Sequence, residues 1–243
     1  MSRVLALVYG AVVYALFFVS FLYAIGFVDD LVVSKTIDSG AQGALVATVV
    51  IDLLVLGVFA IQHSVMARPA FKRSWTKIVP KPVERSTYVL FATAALDLII
   101  WAWRPLPSVI WSVGHGRLAM ALTALSLLGW GTVLVSTFLI NHFELFGLYQ
   151  VWANFTGREI PAPQFRTPLF YKMVRHPIYL GFLVAFWAAP TMTLGRLLFA
   201  VATTLYILIG IWFEERDLVG YFGDTYVEYR RRVTMIIPFA PKG

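Results

Sequence analysis

Long apolar runs separated by short polar loops dominate the chain. Four of them approach the roughly 20 residues that an α-helix needs to cross a hydrocarbon core: Val4–Val28, Ala44–Met66, Ser86–Trp103 and Leu118–Ile140. None of the four contains Lys or Arg, and Asp52 and Asp97 are their only acids. A last apolar stretch, 178–213, is interrupted by Pro190 and Gly195. Each half is short for a span, so the pattern predicts a helical hairpin, with Pro190 ending one helix and the Thr191–Gly195 turn starting the next. The expected architecture is an all-α polytopic membrane bundle. It is a single membrane domain over 1–243, with four spans, a C-terminal hairpin, a tail helix and polar segments at 141–177 and 214–243.

Composition agrees. Hydrophobic residues make up 59% of the 243 positions and charged residues 14%. A soluble domain carries about a quarter charged residues, so there is too little charge here to cover a water-facing surface. The run that follows Met1-Ser2-Arg3 continues to Val28, too long for a signal-peptide core, and reads as a retained first span.

Loop charges predict the orientation. The loop 67–85 holds Arg68, Lys72, Arg73, Lys77, Lys81 and Arg85 against Glu84, whereas 29–43 holds Asp29, Asp30 and Asp38 against Lys35. The positive-inside rule puts the first in the cytosol and the second outside. Both termini are then cytosolic, in agreement with Arg230-Arg231-Arg232. Trp101, Trp103 and Trp111 fall where an outer aromatic belt is expected. The net charge of +7 is thereby a matter of topology. No basic block interleaved with aromatics points to nucleic acid. The chain has no cysteine, which excludes a thiolate nucleophile, a disulfide framework and a cysteine-ligated metal; no metal is expected.

Polar residues with chemical potential gather in four places. In Arg175-His176-Pro177-Ile178-Tyr179-Leu180-Gly181, Pro177 suits a first helical position. The free N–H groups after it make an anion site beside the Arg175 fork, unless this is an ordinary interfacial helix start with a snorkelling arginine. Gly181 permits close approach to the backbone. In Glu214-Glu215-Arg216-Asp217-Leu218, acids that end an apolar helix oppose its dipole and invite a cationic ligand; a solvated helix end is the plainer reading. Tyr226, Tyr229 and Arg230 share a helix face at i, i+3, i+4, able to stack a base or hold a sulfonium, or simply to lie at an interface. In Asn141-His142-Phe143-Glu144-Leu145-Phe146-Gly147-Leu148-Tyr149-Gln150, a histidine and a carboxylate emerge from a span. His142 is a candidate general base with Glu144 to orient it. The segments 141–179 and beyond Phe213 lie at opposite ends of one helical hairpin along the chain and are expected to meet in space. Gly114-His115-Gly116-Arg117-Leu118-Ala119 imitates a dinucleotide fingerprint but follows no strand. Asn154-Phe155-Thr156 is a glycosylation sequon on a segment expected to be cytosolic. Asp52 and Asp97 are proton-path residues or helix-packing contacts.

The combination of Arg175-His176-Pro177-Ile178-Tyr179-Leu180-Gly181, a hairpin, Glu214-Glu215-Arg216-Asp217-Leu218 and Tyr226-Val227-Glu228-Tyr229 resembles the isoprenylcysteine carboxyl methyltransferase superfamily. The segment from Asn141 to Gln150 narrows the likeness to bacterial methanethiol S-methyltransferases, which make dimethyl sulfide. The resemblance implies a helical enzyme of the bacterial inner membrane that uses S-adenosylmethionine. It implies cofactor contacts from Arg175, His176, Tyr179, Gly181, Glu214, Glu215, Tyr226 and Tyr229. Catalytic work would fall to His142, Glu144, Asn141 and Tyr149, acting on a small thiol in contact with membrane lipid. A lipophilic, prenyl-cysteine-like acceptor and a non-enzymatic small-solute transporter are the alternatives.

Overall fold

The computed structural model describes residues 1–162 and 164–238; the last five residues of the expected tail segment 214–243 lie outside them. The described residues are mostly helical with one two-stranded sheet, and among them five helices are long and apolar enough to cross a membrane. It is an integral membrane protein. The described residues form two compact units, 1–107 with 141–162, and 108–140 with 164–238.

In the first unit, α1 (Arg3–Asp29) begins where the Ser2 hydroxyl accepts a hydrogen bond from Leu5 N at 3.2 Å. It ends at Asp30, in the left-handed region. α2 (Leu45–Ala67) is followed by the short α3 (Pro69–Trp75), then by α4 (Lys81–Ala102). α4 packs against both α1 and α2. The aromatic residues expected in an outer belt divide: Trp101 is exposed, but Trp103 is buried, and its indole N–H donates to Ile37 O at 3.1 Å. Its N–H finds a partner inside, so the ring has no need of an interface. Both acids of the spans have polar partners. Asp52 accepts from Arg104 N at 2.9 Å, and Asp97 accepts from the Ser20 hydroxyl at 3.1 Å.

In the second unit, β1 (Val109–Ser112) precedes α5 (Arg117–Ile140). The first unit resumes with α6 (His142–Leu145) and α7 (Leu148–Thr156), the latter packed on α1 and α4. The second unit then adds α8 (Pro177–Trp187), β2 (Thr191–Thr193), α9 (Leu194–Phe222) and α10 (Asp224–Arg232). β1 and β2 pair antiparallel, a short sheet that the all-helical pattern did not foretell.

The hairpin 178–213 has different limits from those expected. α8 stops at Trp187, before Pro190, whose carbonyl accepts from Val113 N at 3.0 Å. α9 runs unbroken to Phe222. No glycine or proline breaks it after Phe213 until Gly220, and Gly223 at φ 55° marks its end. The acids at 214, 215 and 217 therefore lie inside a helix and do not oppose its terminus. The change from apolar to charged residues marks a change of surroundings, not the end of the helix.

α8 packs closely on α5. A Cβ added at Gly129 would lie 2.6 Å from Gly181 O, and one at Gly181 would lie 2.7 Å from Gly129 O. Close approach through small residues is how helices pack without a hydrophobic driving force in lipid. The backbone that comes close to Gly181 is thus α5.

Candidate active site

The second unit brings two of the predicted cofactor residues, Arg175 and His176, onto a third, Glu215. Glu215 Oε1 accepts from Arg175 Nε at 2.7 Å and lies 3.1 Å from His176 Nε2, while Glu215 Oε2 lies 3.3 Å from Arg230 Nε. The Arg175 and Glu215 side chains are 11% and 9% exposed. Arg175 also donates through Nη1 to Arg230 O at 3.2 Å and Val233 O at 2.5 Å. Backbone bonds run alongside: Arg175 N to Thr234 O at 2.8 Å and His176 N to Met235 O at 3.2 Å. Arg175 is thus engaged in tying the tail to the start of α8, and Glu215 neutralises it there. These three side-chain bonds take the Nε and Nη1 N–H groups of the guanidinium.

Glu214 has a different environment. Its side chain is 43% exposed and accepts from the Tyr179 hydroxyl at 2.8 Å. Of the two adjacent acids, Glu214 is the one open to a cationic group. Tyr226 and Tyr229 are buried on α10, and Phe165 packs edge-on to both, at 5.9 and 5.2 Å between ring centroids. The Tyr229 hydroxyl donates to Tyr171 O at 2.6 Å, and burial pushes its pKa up to about 12. The Tyr226 hydroxyl, on a residue 2% exposed, has no hydrogen-bond partner among the described residues. Burial raises its pKa as well, and the nearby carboxylates of Glu215 and Glu214 push it the same way. A buried hydroxyl without a partner costs free energy, and a bound polar ligand would remove that cost.

Within the second unit, Arg175, His176 and Tyr179 meet residues beyond Phe213 as expected, and the Asn141–Gln150 segment belongs to the first unit. Asn141 adopts φ 141°, ψ 79° and donates from Nδ2 to Glu144 Oε2. A non-glycine residue in this region is strained and persists only when its surroundings hold it. Here Arg85 Nε donates to Leu145 O at 2.7 Å, and Gln150 Nε2 donates to Glu144 O at 3.0 Å. Gly147, at φ 89°, passes so near Ser86 that a Cβ would meet Ser86 N at 2.7 Å. Tyr149 follows, half-buried on α7.

His142 is 2% exposed, and its Nε2 lies 2.8 Å from the Tyr14 hydroxyl. Tyr14 of α1 is bonded to the ring, and Glu144 is bonded to Asn141. Phe146 and Phe143 flank the imidazole at 4.8 and 5.4 Å between centroids. Burial lowers the His142 pKa, so the ring is neutral near pH 7 and able to accept a proton. Tyr14 was not foreseen. A lone tyrosine near the middle of an apolar span carries no motif, and nothing in the sequence links it to His142. Among the described residues, no group of three His, Cys, Asp or Glu side chains could hold a metal ion.

No family model and no solved structure matches the chain. Curated relatives do. Methanethiol S-methyltransferase 1 of Bradyrhizobium diazoefficiens is 58% identical over 237 residues, covering 98% of this chain and 83% of the relative. Methanethiol S-methyltransferase of Mycobacterium tuberculosis is 54% identical over 239 residues, covering 98% of each. The enzyme of the same name from Crocosphaera subtropica is 48% identical over 242 residues, covering 100% of this chain and 95% of the relative.

Proposed function

The chain belongs to the methanethiol S-methyltransferase family and is a membrane methyltransferase; we propose that it transfers the methyl group of S-adenosylmethionine to methanethiol, yielding dimethyl sulfide. The observation that carries this reading is likeness at 48–58% identity over 98–100% of the chain to proteins of that name.

The second unit offers groups that suit the donor. S-adenosylmethionine supplies an electrophilic methyl group on a sulfonium, together with an ammonium, a carboxylate and an adenosine. Glu214, with its half-open carboxylate, would hold a cationic part. The buried, unpartnered Tyr226 hydroxyl would hydrogen-bond a polar part that enters this wall, with Tyr229 and Phe165 packed behind it. His176 and Tyr179 complete that wall, while Arg175, Glu215 and Gly181 hold it in shape.

His142 acts on the acceptor. An alkyl thiol is mostly protonated near neutral pH, since even a free cysteine thiol has a pKa of about 8.5. A neutral imidazole takes that proton, which is worth about 10²–10⁴-fold in rate. Asn141 and Glu144, bonded to each other, brace the turn that presents His142, with Tyr149 beyond. The aromatic surroundings exclude water. The reaction joins a thiolate with a cationic donor, so charge disappears along its path and a dry site favours it. In-line alignment of sulfur, methyl and sulfur supplies much of the remaining acceleration. We orient the chain with both termini and the Arg68–Arg85 loop in the cytosol, where the donor is made, within the bacterial inner membrane.

Calorimetry with S-adenosylhomocysteine on the detergent-solubilised protein tests the cofactor. Micromolar binding that weakens in Tyr226→Phe is expected. A folded protein that binds none would remove S-adenosylmethionine from the account.

A further inference from the structure

A base at 2% exposure poses a geometric problem: an incoming thiol has almost no access to the His142 ring. Tyr14 is the more exposed of the two and has its hydroxyl 2.8 Å from Nε2. Its ring stands nearly perpendicular to the imidazole, 85° between planes, so the phenol is edge-on to the ring nitrogen. Around it lie Phe17, Phe18, Phe143 and Phe146, all within 6.5 Å between ring centroids. That lining welcomes a small uncharged thiol and offers no ion to stabilise a thiolate formed far from a proton acceptor. The height of Tyr14 is fixed by packing. One turn earlier, Gly10 lies so near Val151 of α7 that a Cβ would come within 2.6 Å of a valine methyl.

We propose that Tyr14 is a catalytic residue that relays the acceptor proton to His142. The acceptor S–H proton moves to Tyr14 Oη as the Tyr14 O–H proton moves to His142 Nε2. One S–H and one O–H bond break, one O–H and one N–H bond form, and the products are a thiolate and an imidazolium. After the thioether leaves, the imidazolium gives this proton up to water by way of Tyr14, because each methyl transfer to a thiol releases one proton. In the resting state His142 carries its proton on Nδ1, and the phenol donates to Nε2. The inference rests on the reading of His142 as the base and assigns the group that touches the thiol.

The first test needs no variant. Turnover of methanethiol is measured in mixtures of light and heavy water, under conditions where chemistry limits the rate. Two protons in flight give a bowed dependence on deuterium fraction; a straight line, one proton, would overturn the relay. The second test compares acceptors in Tyr14→Phe. Methanethiol turnover is expected to fall about 10²-fold or more, the scale of lost general-base catalysis. Turnover of hydrogen sulfide, a small acceptor that ionises more readily, is expected to fall far less. S-adenosylhomocysteine binding, which the relay does not touch, reports that the variant is folded. Equal losses for both acceptors in a variant that still binds would overturn the relay. So would a drop in His142→Ala alone with Tyr14→Phe unaffected, leaving His142 as a direct base. If neither substitution affects turnover, the base reading itself falls.

Discussion

Replacing Arg175 with methionine should release the C-terminal tail. The substitution keeps much of the length and apolar stem and removes the guanidinium. It breaks the 2.7 Å pair with Glu215 and both hydrogen bonds to Arg230 O and Val233 O. Removing one partner of a buried pair costs about 3–5 kcal/mol, because the remaining charge is left uncompensated. Arg230, half-exposed at 3.3 Å, recovers part of this by moving onto Glu215. Taking about 3–4 kcal/mol, the population with the tail detached rises about 10²–10³-fold. The tail carries its own reporter, since trypsin cleaves after Arg230, Arg231 and Arg232 once α10 opens. When opening is fast relative to cleavage, the rate follows that open population. Limited proteolysis in detergent, with fragments read by mass spectrometry, should show cleavage there accelerating on that scale, while sites in the Arg68–Arg85 loop of the other unit are unchanged. If tail cleavage is unchanged and only the KM for S-adenosylmethionine rises, Arg175 grips the cofactor and the structural assignment is wrong.

Three further outcomes follow from the geometry. Gly181→Ala, and equally Gly129→Ala, should destabilise the second unit by about 1–3 kcal/mol through overpacking at the α5–α8 crossing; reversible unfolding in mixed micelles that shows no change would refute the close approach. Tyr226→Phe should leave the stability of the unliganded protein unchanged or raised, because the lost hydroxyl had no partner, and weaken S-adenosylhomocysteine binding about tenfold; equal binding by both forms would exclude the hydroxyl from the site. His142 titrates below its ordinary value because burial disfavours the cation, so kcat should hold steady through neutral pH and fall only on acidification below the usual histidine range. Loss of kcat already above that range, as pH falls from 8 to 7, would contradict a buried neutral base.

The spans were readable because lipid imposes a length, and each of the four runs became a helix within a few residues of its expected ends. The start of α8 at Pro177 was equally readable, since proline suits a first turn. Polarity misled at Glu214, where charged residues suggested an end to α9; helix continuity is set by backbone breakers, and none occurs there before Gly220. The pairing of β1 with β2 rests on backbone hydrogen bonds between segments about 80 residues apart, and no local pattern encodes them. The split of roles between Glu214 and Glu215 was equally hidden. Adjacent helical residues point about 100° apart, and only the packing of the tail decides which one meets Arg175. Tyr14 and Gly129 belong to the same class. Each is an ordinary residue of an apolar helix until its neighbour from elsewhere in the chain, His142 or Gly181, is brought against it.

The central claim is tested most directly by supplying the purified protein with methanethiol and S-adenosylmethionine labelled with deuterium in its methyl group, then measuring headspace sulfides by mass spectrometry. The account predicts dimethyl sulfide with one labelled and one unlabelled methyl group, and its near-complete loss in His142→Ala. Unlabelled product, or none from protein shown to be folded, would contradict it.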